Sequence, residues 1–324
     1  MHSMTHMLKN KKVGLVLGSG AARGLAHIGV IKVLEQFKIP IHYVVGSSMG
    51  ALIGGLYASG LTGTDLERIA SSINWVKILK ILFPGKMSTR GLLQGKRVIN
   101  FIREHVKIDD MQKLPTPFTA VATDLWSGNM ELISEGDLAL AIRASISFPF
   151  LFTPYKYNHK ILVDGGVVNP LPIDVARANN CDLIIAVDVT PSPARRLKQI
   201  KNKSDNSRTN LIKIPSSISF KYSDRLNMAL DQYMKRMFQR ATRDKVENPN
   251  IRYQLAQIGN IMEAEIGRLR IQLFKPDILI KPELDDIDFF DMYRYNEIIA
   301  AGETGAKAIL DEYFRTNTAK RRQQ

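Results

Sequence analysis

A β-type run, Ile41-His42-Tyr43-Val44-Val45, leads into Gly46-Ser47-Ser48-Met49-Gly50, and the apolar stretch Ala51-Leu52-Ile53-Gly54-Gly55-Leu56-Tyr57-Ala58 follows at once. A strand that gives way to a helix through five residues, with glycine at each end, calls for a sharp turn at the edge of a sheet. In so tight a turn the flanking segments cross closely, positions 46 and 50 tolerate little beyond hydrogen, and the central serine is lifted clear of the strand. The following helix directs the positive end of its dipole to the same point. This makes Ser48 a candidate nucleophile, with Gly46 and Gly50 as the residues that permit the elbow. Taken alone, the pentapeptide also fits a plain small-residue turn.

The same succession occurs one unit earlier. Val13-Gly14-Leu15-Val16-Leu17 reads as a short buried strand, and Gly18-Ser19-Gly20-Ala21-Ala22-Arg23-Gly24 follows. Leu25, Ile28, Ile31 and Leu34 then fall at helical spacing as far as Phe37, and Pro40 stops the helix. Strand, helix, strand, helix between residues 13 and 58 predicts βαβ units and a parallel sheet, the α/β class. The glycine-rich turn is not a dinucleotide fingerprint: its third glycine comes one residue late, and Val44, Val45 and Gly46 stand where an acid would hold a ribose. Nor is it a phosphate loop, because Gly24 is followed by Leu25 rather than Lys and Ser or Thr. What remains is a row of backbone N–H groups at a helix start with Arg23 beside them, which suits an oxyanion hole. Turns after neighbouring parallel strands lie together at their carboxyl ends.

Downstream, Arg90–Arg97 opens a helix reaching about His105, and Pro117–Asp124 reads as a strand. Leu138–Ser145 reads as a helix, and Ile161-Leu162-Val163 as a strand ending in Asp164-Gly165-Gly166. Asp182–Val189 is expected as a strand, Pro276–Ile280 as a strand returning to the sheet, and residues 286–315 as the last helix. On spacing alone, an aspartate before two glycines is an Asx turn.

In order and spacing, the glycine-rich turn, Gly46-Ser47-Ser48-Met49-Gly50 and Asp164-Gly165-Gly166 together resemble the patatin-like phospholipase family, its bacterial branch most closely. Ala122-Thr123-Asp124-Leu125 and Ala144-Ser145-Ile146-Ser147-Phe148-Pro149 resemble family blocks as well, so the likeness spans residues 12–190. It implies a three-layer fold with a mainly parallel sheet flanked by helices. It also implies a serine lipid acyl hydrolase of the phospholipase or lysophospholipase kind, needing no cofactor and no metal. Ser48 would be the nucleophile and Asp164 its side-chain partner, a dyad without histidine. The oxyanion hole would be the turn Gly18, Ser19, Gly20, Ala21, Arg23 and Gly24, and Gly165 and Gly166 would complete the Asp-Gly-Gly turn. The family's glycine triplet here reads Ser19-Gly20-Ala21, leaving Gly20 and Ala21 as the backbone donors. Arg23 would either brace this loop or meet a lipid phosphate. Of the six histidines none stands in a catalytic motif; His105 and His159 are the two whose positions leave them open.

Composition bounds the rest. With 45% apolar residues the chain can build a sizeable core. Its single cysteine, Cys181, beside the run Leu183–Val187, reads as core and suits a reducing compartment. No run approaches the ~20 apolar residues of a membrane span, and the first residues have no apolar signal region, so a cytoplasmic protein with peripheral membrane contact is expected. The domain reading is a basic tail at 1–11, a catalytic core at 12–192, a basic and mostly helical excursion at 193–275, and a returning strand and helix at 276–324. The formal net charge is +14, and residues 195–245 hold 14 Lys and Arg against 4 Asp and Glu. That excess fits an anionic membrane surface. A nucleic-acid partner fits poorly, since interleaved aromatic platforms are missing. A silent membrane- or partner-binding regulator of the same fold explains the charge equally well but leaves Ser48, Asp164 and the glycine turn without a reason. Leu226, Leu230, Tyr233, Met237 and Ala241 fall on one helical stripe flanked by Arg225, Lys235, Arg236, Arg240 and Arg243, a pattern shared by interfacial helices and packed ones. Reversing Arg236, Arg240 and Arg243 to Glu should weaken binding to phosphatidylserine-containing vesicles, and salt should do the same. Hydrolysis of a small soluble ester should be spared. Sedimentation with vesicles checks this, and binding indifferent to salt and to the substitutions would favour the packed helix.

Overall fold

The structure, a computed structural model, describes residues 8, 10–73, 95–148, 152–191 and 251–322. The expected features at Trp75–Lys80, Arg90–Gln94, 195–215 and the stripe Leu226–Ala241 lie outside these residues. The chain divides into two compact units, Met1–Arg196 with Ile261–Gln324, and Leu197–Asn260. All the described strands belong to the first; the described part of the second, residues 251–260, is helical.

One eight-stranded sheet forms the middle layer. Its strands are β1 (Val13–Leu17), β2 (Tyr43–Ser47), β3 (Phe118–Asp124), β4 (Met130–Ile133), β5 (Tyr155–Tyr157), β6 (Lys160–Asp164), β7 (Leu183–Val187) and β8 (Ile278–Ile280). They run in the order β5-β6-β3-β2-β1-β7-β8, with β4 paired to β3. The β3-β2-β1-β7-β8 part is parallel; β4 and β6 meet β3 antiparallel, as β5 meets β6. The short hairpin strands β4 and β5 have no clear alternation in sequence, and both are largely half-exposed edges.

Strand alternation divides the core in two. Leu15, Leu17, Val44, Ala120, Ala122, Ile185 and Val187 point to one face, under helices α1 (Ala26–Gln36), α2 (Met49–Ala58), α5 (Leu138–Ser145) and α8 (Tyr295–Arg322). Val16, Val45, Val121, Ile184 and Ala186 point to the other, under α6 (Ile173–Ala178) and the end of α7 (Ile251–Phe274). Helices α3 (Gly63–Ser72) and α4 (Lys96–His105) complete the described set. The result is a three-layer α/β arrangement: the alternating pattern predicts the α/β class with parallel strands, and the family resemblance implies the three layers.

Element ends differ from expectation for local reasons. β2 begins at Tyr43 rather than Ile41 because His42 turns its ring to the Val13 N–H, which donates to Nδ1 at 3.0 Å. It continues through Gly46 and Ser47 because both pair with β3. The last helix starts at Tyr295, not 286, since the segment before it folds into turns that cover the glycine-rich loop: the Phe289 carbonyl accepts the Ala22 N–H at 3.2 Å.

Helices α1 and α8 meet backbone to backbone. A Cβ on Gly302 would strike the Ala26 carbonyl, and one on Gly29 the Ile299 carbonyl. Gly302→Ala should therefore lower unfolding stability by about 1–3 kcal/mol. Among the described residues, Gly267, inside α7, has only Pro170 Cγ at 4.0 Å from the same position, so Gly267→Ala should gain roughly 0.5–1 kcal/mol. Urea denaturation of the two variants checks the contrast in sign.

Candidate active site

The serine elbow is built by backbone strain that the surroundings hold in place. Ser48 directly follows β2 with φ 55° and ψ −120°, the left-handed side that L residues rarely adopt, and α2 begins at the next residue. A Cβ on Gly46 would collide with the Gly50 carbonyl, and one on Gly50 with the Leu17 carbonyl, so the crossing needs both glycines. The Ser48 N–H donates to Ser145 Oγ at 2.9 Å, and that hydroxyl donates to the Val121 carbonyl at 2.6 Å. Ser48 is left partly exposed, so its hydroxyl is reachable.

Sheet register brings Asp164 to it. Ala122 pairs with Glu131 of β4 on one edge and Asp164 of β6 on the other, while Val121 pairs with Leu132 of β4 and Ser47 of β2. Since β4 runs along one edge, β2 and β6 share the other: β6 begins pairing where β2 turns away. Ser48 Oγ donates to Asp164 Oδ2 at 2.5 Å. The other carboxylate oxygen, Oδ1, accepts the Gly166 N–H at 2.8 Å. The Asp164 backbone is tied as well, its N–H donating to Ser147 O at 3.1 Å and its carbonyl accepting from Thr123 Oγ1 at 2.9 Å. Asp164 is wholly buried. Burial first, and the negative charge of Glu263 second, push its carboxyl well above the ordinary carboxylate range, against the pull of the Ser48 and Gly166 hydrogen bonds.

The glycine-rich turn supplies donors. Gly18 N–H goes to Val187 O at 3.1 Å, Ser19 N–H to Pro170 O at 2.8 Å, Ala22 N–H to Phe289 O at 3.2 Å and Arg23 N–H to Gly20 O at 3.1 Å. Among the described residues, no partner takes the Gly20 or Ala21 N–H. Ala21 has φ 48° and opens a short 3-10 helix to Leu25. Gly24 lets the turn close on Met49, the residue after the serine: a Cβ there would overlap the Met49 side chain. Arg23 points inward, 1% exposed, with Nη1 donating to Ile287 O at 3.3 Å. The side chain is enclosed and does not face solvent. His27 lies under the same turn with Nε2 2.8 Å from Gly18 O; burial pushes its imidazole down to about 4, so it is neutral.

The structure unites Ser48, Asp164, Gly166 and the Gly18–Gly24 turn at the carboxyl ends of β1 and β2, and leaves the open histidines elsewhere. His105 ends α4, its Nδ1 2.7 Å from Phe101 O, and His159 sits at φ 65° in the β5–β6 hairpin turn, at the far end of β6 from Asp164. Sequence reasoning passed over Ser145 as a hydrogen-bonding residue and Glu263 altogether. Glu263 is 6% exposed, and its Oε1 accepts from Ser19 Oγ at 3.3 Å. Burial raises its carboxyl, and the Arg23 charge pulls it back. Among the described residues, no cluster of three or more His, Cys, Asp or Glu could hold a metal ion, and no helix is long and apolar enough to cross a membrane.

A family model described as patatin-like phospholipase matches residues 15–177, a span that takes in the turn, the elbow and Asp164. A Mycobacterium tuberculosis protein described as an uncharacterized NTE family protein is 40% identical over 183 residues, 56% of this chain and 50% of that one. A lysophospholipase of Yarrowia lipolytica is 32% identical over 192 residues, 57% of this chain and 13% of that one. Human patatin-like phospholipase domain-containing protein 6 is 26% identical over 334 residues, 98% of this chain and 22% of that one. The chain thus spans about half the length of the mycobacterial relative and less of the other two.

The buried carboxyl makes a stability prediction independent of chemistry. A carboxyl whose folded pKa is raised binds its proton more tightly folded than unfolded. Its contribution is therefore complete below the unfolded value of about 4 and declines as pH rises toward the folded value. Asp164→Asn removes that decline. The melting temperature of the variant relative to wild type should rise between pH 5 and pH 8, which calorimetry across that range measures; a difference flat with pH would show Asp164 to be ionised at no cost.

Proposed function

The chain belongs to the patatin-like phospholipase family, and from that premise we propose that it hydrolyses carboxylic esters of lipids with Ser48 and Asp164 as its catalytic dyad. The observation that carries this reading is the 2.5 Å hydrogen bond from Ser48 Oγ to a buried Asp164. Ser48 Oγ attacks the ester carbonyl while its proton passes to Asp164 Oδ2. The carbonyl oxygen becomes an oxyanion and takes the Gly20 and Ala21 N–H groups, with the N-terminus of α2 adding its dipole. As the tetrahedral intermediate collapses, Asp164 returns the proton to the leaving alcohol and the acyl group stays on Ser48. Water then attacks the acyl-enzyme, gives its proton to Asp164, and the fatty acid leaves as the proton returns to Ser48.

A carboxylate is ordinarily a weak base toward a hydroxyl. The raised pKa of Asp164 narrows that gap, and the fixed geometry removes the cost of alignment. Arg23, fully enclosed, supports the donor turn. The relative named as a lysophospholipase is consistent with a lipid substrate, and the basic stretch at 195–245 fits peripheral contact with an anionic membrane.

Ser48→Ala should abolish ester turnover and labelling by a fluorophosphonate while the melting curve stays near wild type; turnover retained on any ester the wild type cleaves would remove the assignment. Asp164→Asn should cost roughly 10²–10⁴-fold in kcat. His105→Ala and His159→Ala should keep most activity. Because the base works only when ionised, kcat/KM should fall as pH drops through the raised pKa of Asp164, above the ordinary carboxylate range.

A further inference from the structure

Glu263 is a buried acid for which the dyad chemistry has no stated use. It lies outside the residues matched by the family model, in α7, a helix whose adjacent Ile261 and Met262 are 66% and 56% exposed. One acidic side chain of this helix is thus turned inward while apolar neighbours stay in solvent, the reverse of the usual amphipathic order. Burying a carboxylate is costly unless it is paired. Its position shows what it meets. A Cβ placed on Gly166 would lie 2.5 Å from Glu263 Oε1, 2.6 Å from Ser19 Oγ and 3.1 Å from Asp164 Oδ1. Three oxygens from three distant segments therefore converge over one glycine of the Asp-Gly-Gly turn. Ser19, standing where the family pattern has glycine, is the hydroxyl that links Glu263 to the donor turn.

We propose that Glu263 is a positioning residue of the hydrolase, joining the Ser19–Ala21 donor turn to the Asp164–Gly166 turn and setting a second carboxylate against the side of Asp164 that faces away from Ser48. The proposal rests on the dyad reading and deepens it. Two like charges in a dry site repel, and the repulsion is relieved when Asp164 accepts the serine proton. An unfavourable contact present before attack and absent afterwards lowers the barrier, whereas one present throughout would not. Among the described residues, the groups facing the pair are Arg23 from the 3-10 helix, Ser19 from the turn, the Gly166 N–H, and the Ser48 hydroxyl on Asp164 alone. Arg23 supplies the positive charge that favours the ionised form of Glu263, against the burial that disfavours it. His27, under the same turn, is neutral and adds none.

The test is Glu263→Gln, which keeps the shape and the acceptor for Ser19 but removes the charge, assayed on a short soluble ester. The expected result is kcat lowered about tenfold or more with KM changed less than about twofold, together with an acid limb of kcat/KM displaced to lower pH. Ser19→Ala, which cuts the link but leaves the carboxyl and Arg23 in place, should slow turnover while displacing that limb less than Glu263→Gln does. Wild-type kcat and an unmoved acid limb in folded Glu263→Gln would overturn the proposal, as would a loss carried only by KM. If Glu263→Gln does not fold, the double variant Glu263→Gln/Arg23→Gln removes both buried charges together and is read by the same pH profile. Ser48→Ala run in parallel separates the failures. An active Ser48→Ala ends the dyad reading itself, and an inactive Ser48→Ala beside an unchanged Glu263→Gln ends only the role of Glu263.

Discussion

Ala122 has a backbone partner on each edge, Glu131 on one and Asp164 on the other, and on that second edge the partner of the preceding residue, Val121, is Ser47. A parallel strand and an antiparallel strand therefore share one side of β3, end against end. Where β2 stops, the chain must leave the sheet, and the residue that makes the exit is Ser48; where β6 stops, it does so beside that exit, and its last residue is Asp164. The serine and the aspartate meet because the sheet changes from parallel to antiparallel at this point, and hydrogen-bond register, rather than a side-chain search, fixes their separation. A one-residue slip of β6 would turn its side chains to the opposite face and remove Asp164 from the serine.

This junction concentrates what is unfavourable in the fold. Ser48 holds a left-handed backbone, Asp164 and Glu263 are buried acids, and Arg23 is a buried base. Each alone costs free energy, and each is held by neighbours: Ser145 on the Ser48 N–H, Thr123 and Ser147 on the Asp164 backbone, Ser19 on Glu263, Ile287 on Arg23. The close contact of α1 with α8 matters for the same reason. The 3-10 helix that carries Arg23 runs straight into α1, and the turns preceding α8 supply the Phe289 and Ile287 carbonyls that receive the loop. The site is therefore tied by backbone hydrogen bonds and chain continuity to the core beneath it.

Much of this was legible in sequence because it is local. The two strand–glycine–helix turns, the helix Leu138–Ser145 and the strand ending in Asp164 all show in residue order, since apolar periodicity and glycine spacing act over a few residues. The hairpin strands β4 and β5 did not show, because Met130–Ile133 and Tyr155–Tyr157 are short, half-exposed edges with no clear alternation. The inward turn of Arg23 was undecidable without the carbonyl of Ile287, more than 260 residues away in the chain. Glu263 was invisible for a stronger reason: an acid on a helix reads as solvated by default, and only the packing of α7 reverses it.

The charges at the site have a consequence for how the proposed reaction is balanced. With Asp164 and Glu263 ionised and Arg23 protonated, the buried cluster carries one net negative charge. Attack by Ser48 neutralises Asp164 and creates an oxyanion, so the net charge is unchanged and only its place moves, from an oxygen among buried groups to one facing the Gly20 and Ala21 N–H groups. No net charge has to enter or leave a dry site during the step, which avoids the large solvation term that such a change would carry. What the protein controls is the difference between the two places: repulsion from Glu263 at the first, and donors at the second. In the proposed reaction both act in the same direction, and they are neighbours in the chain: Ser19, whose hydroxyl donates to Glu263 Oε1, immediately precedes Gly20 and Ala21.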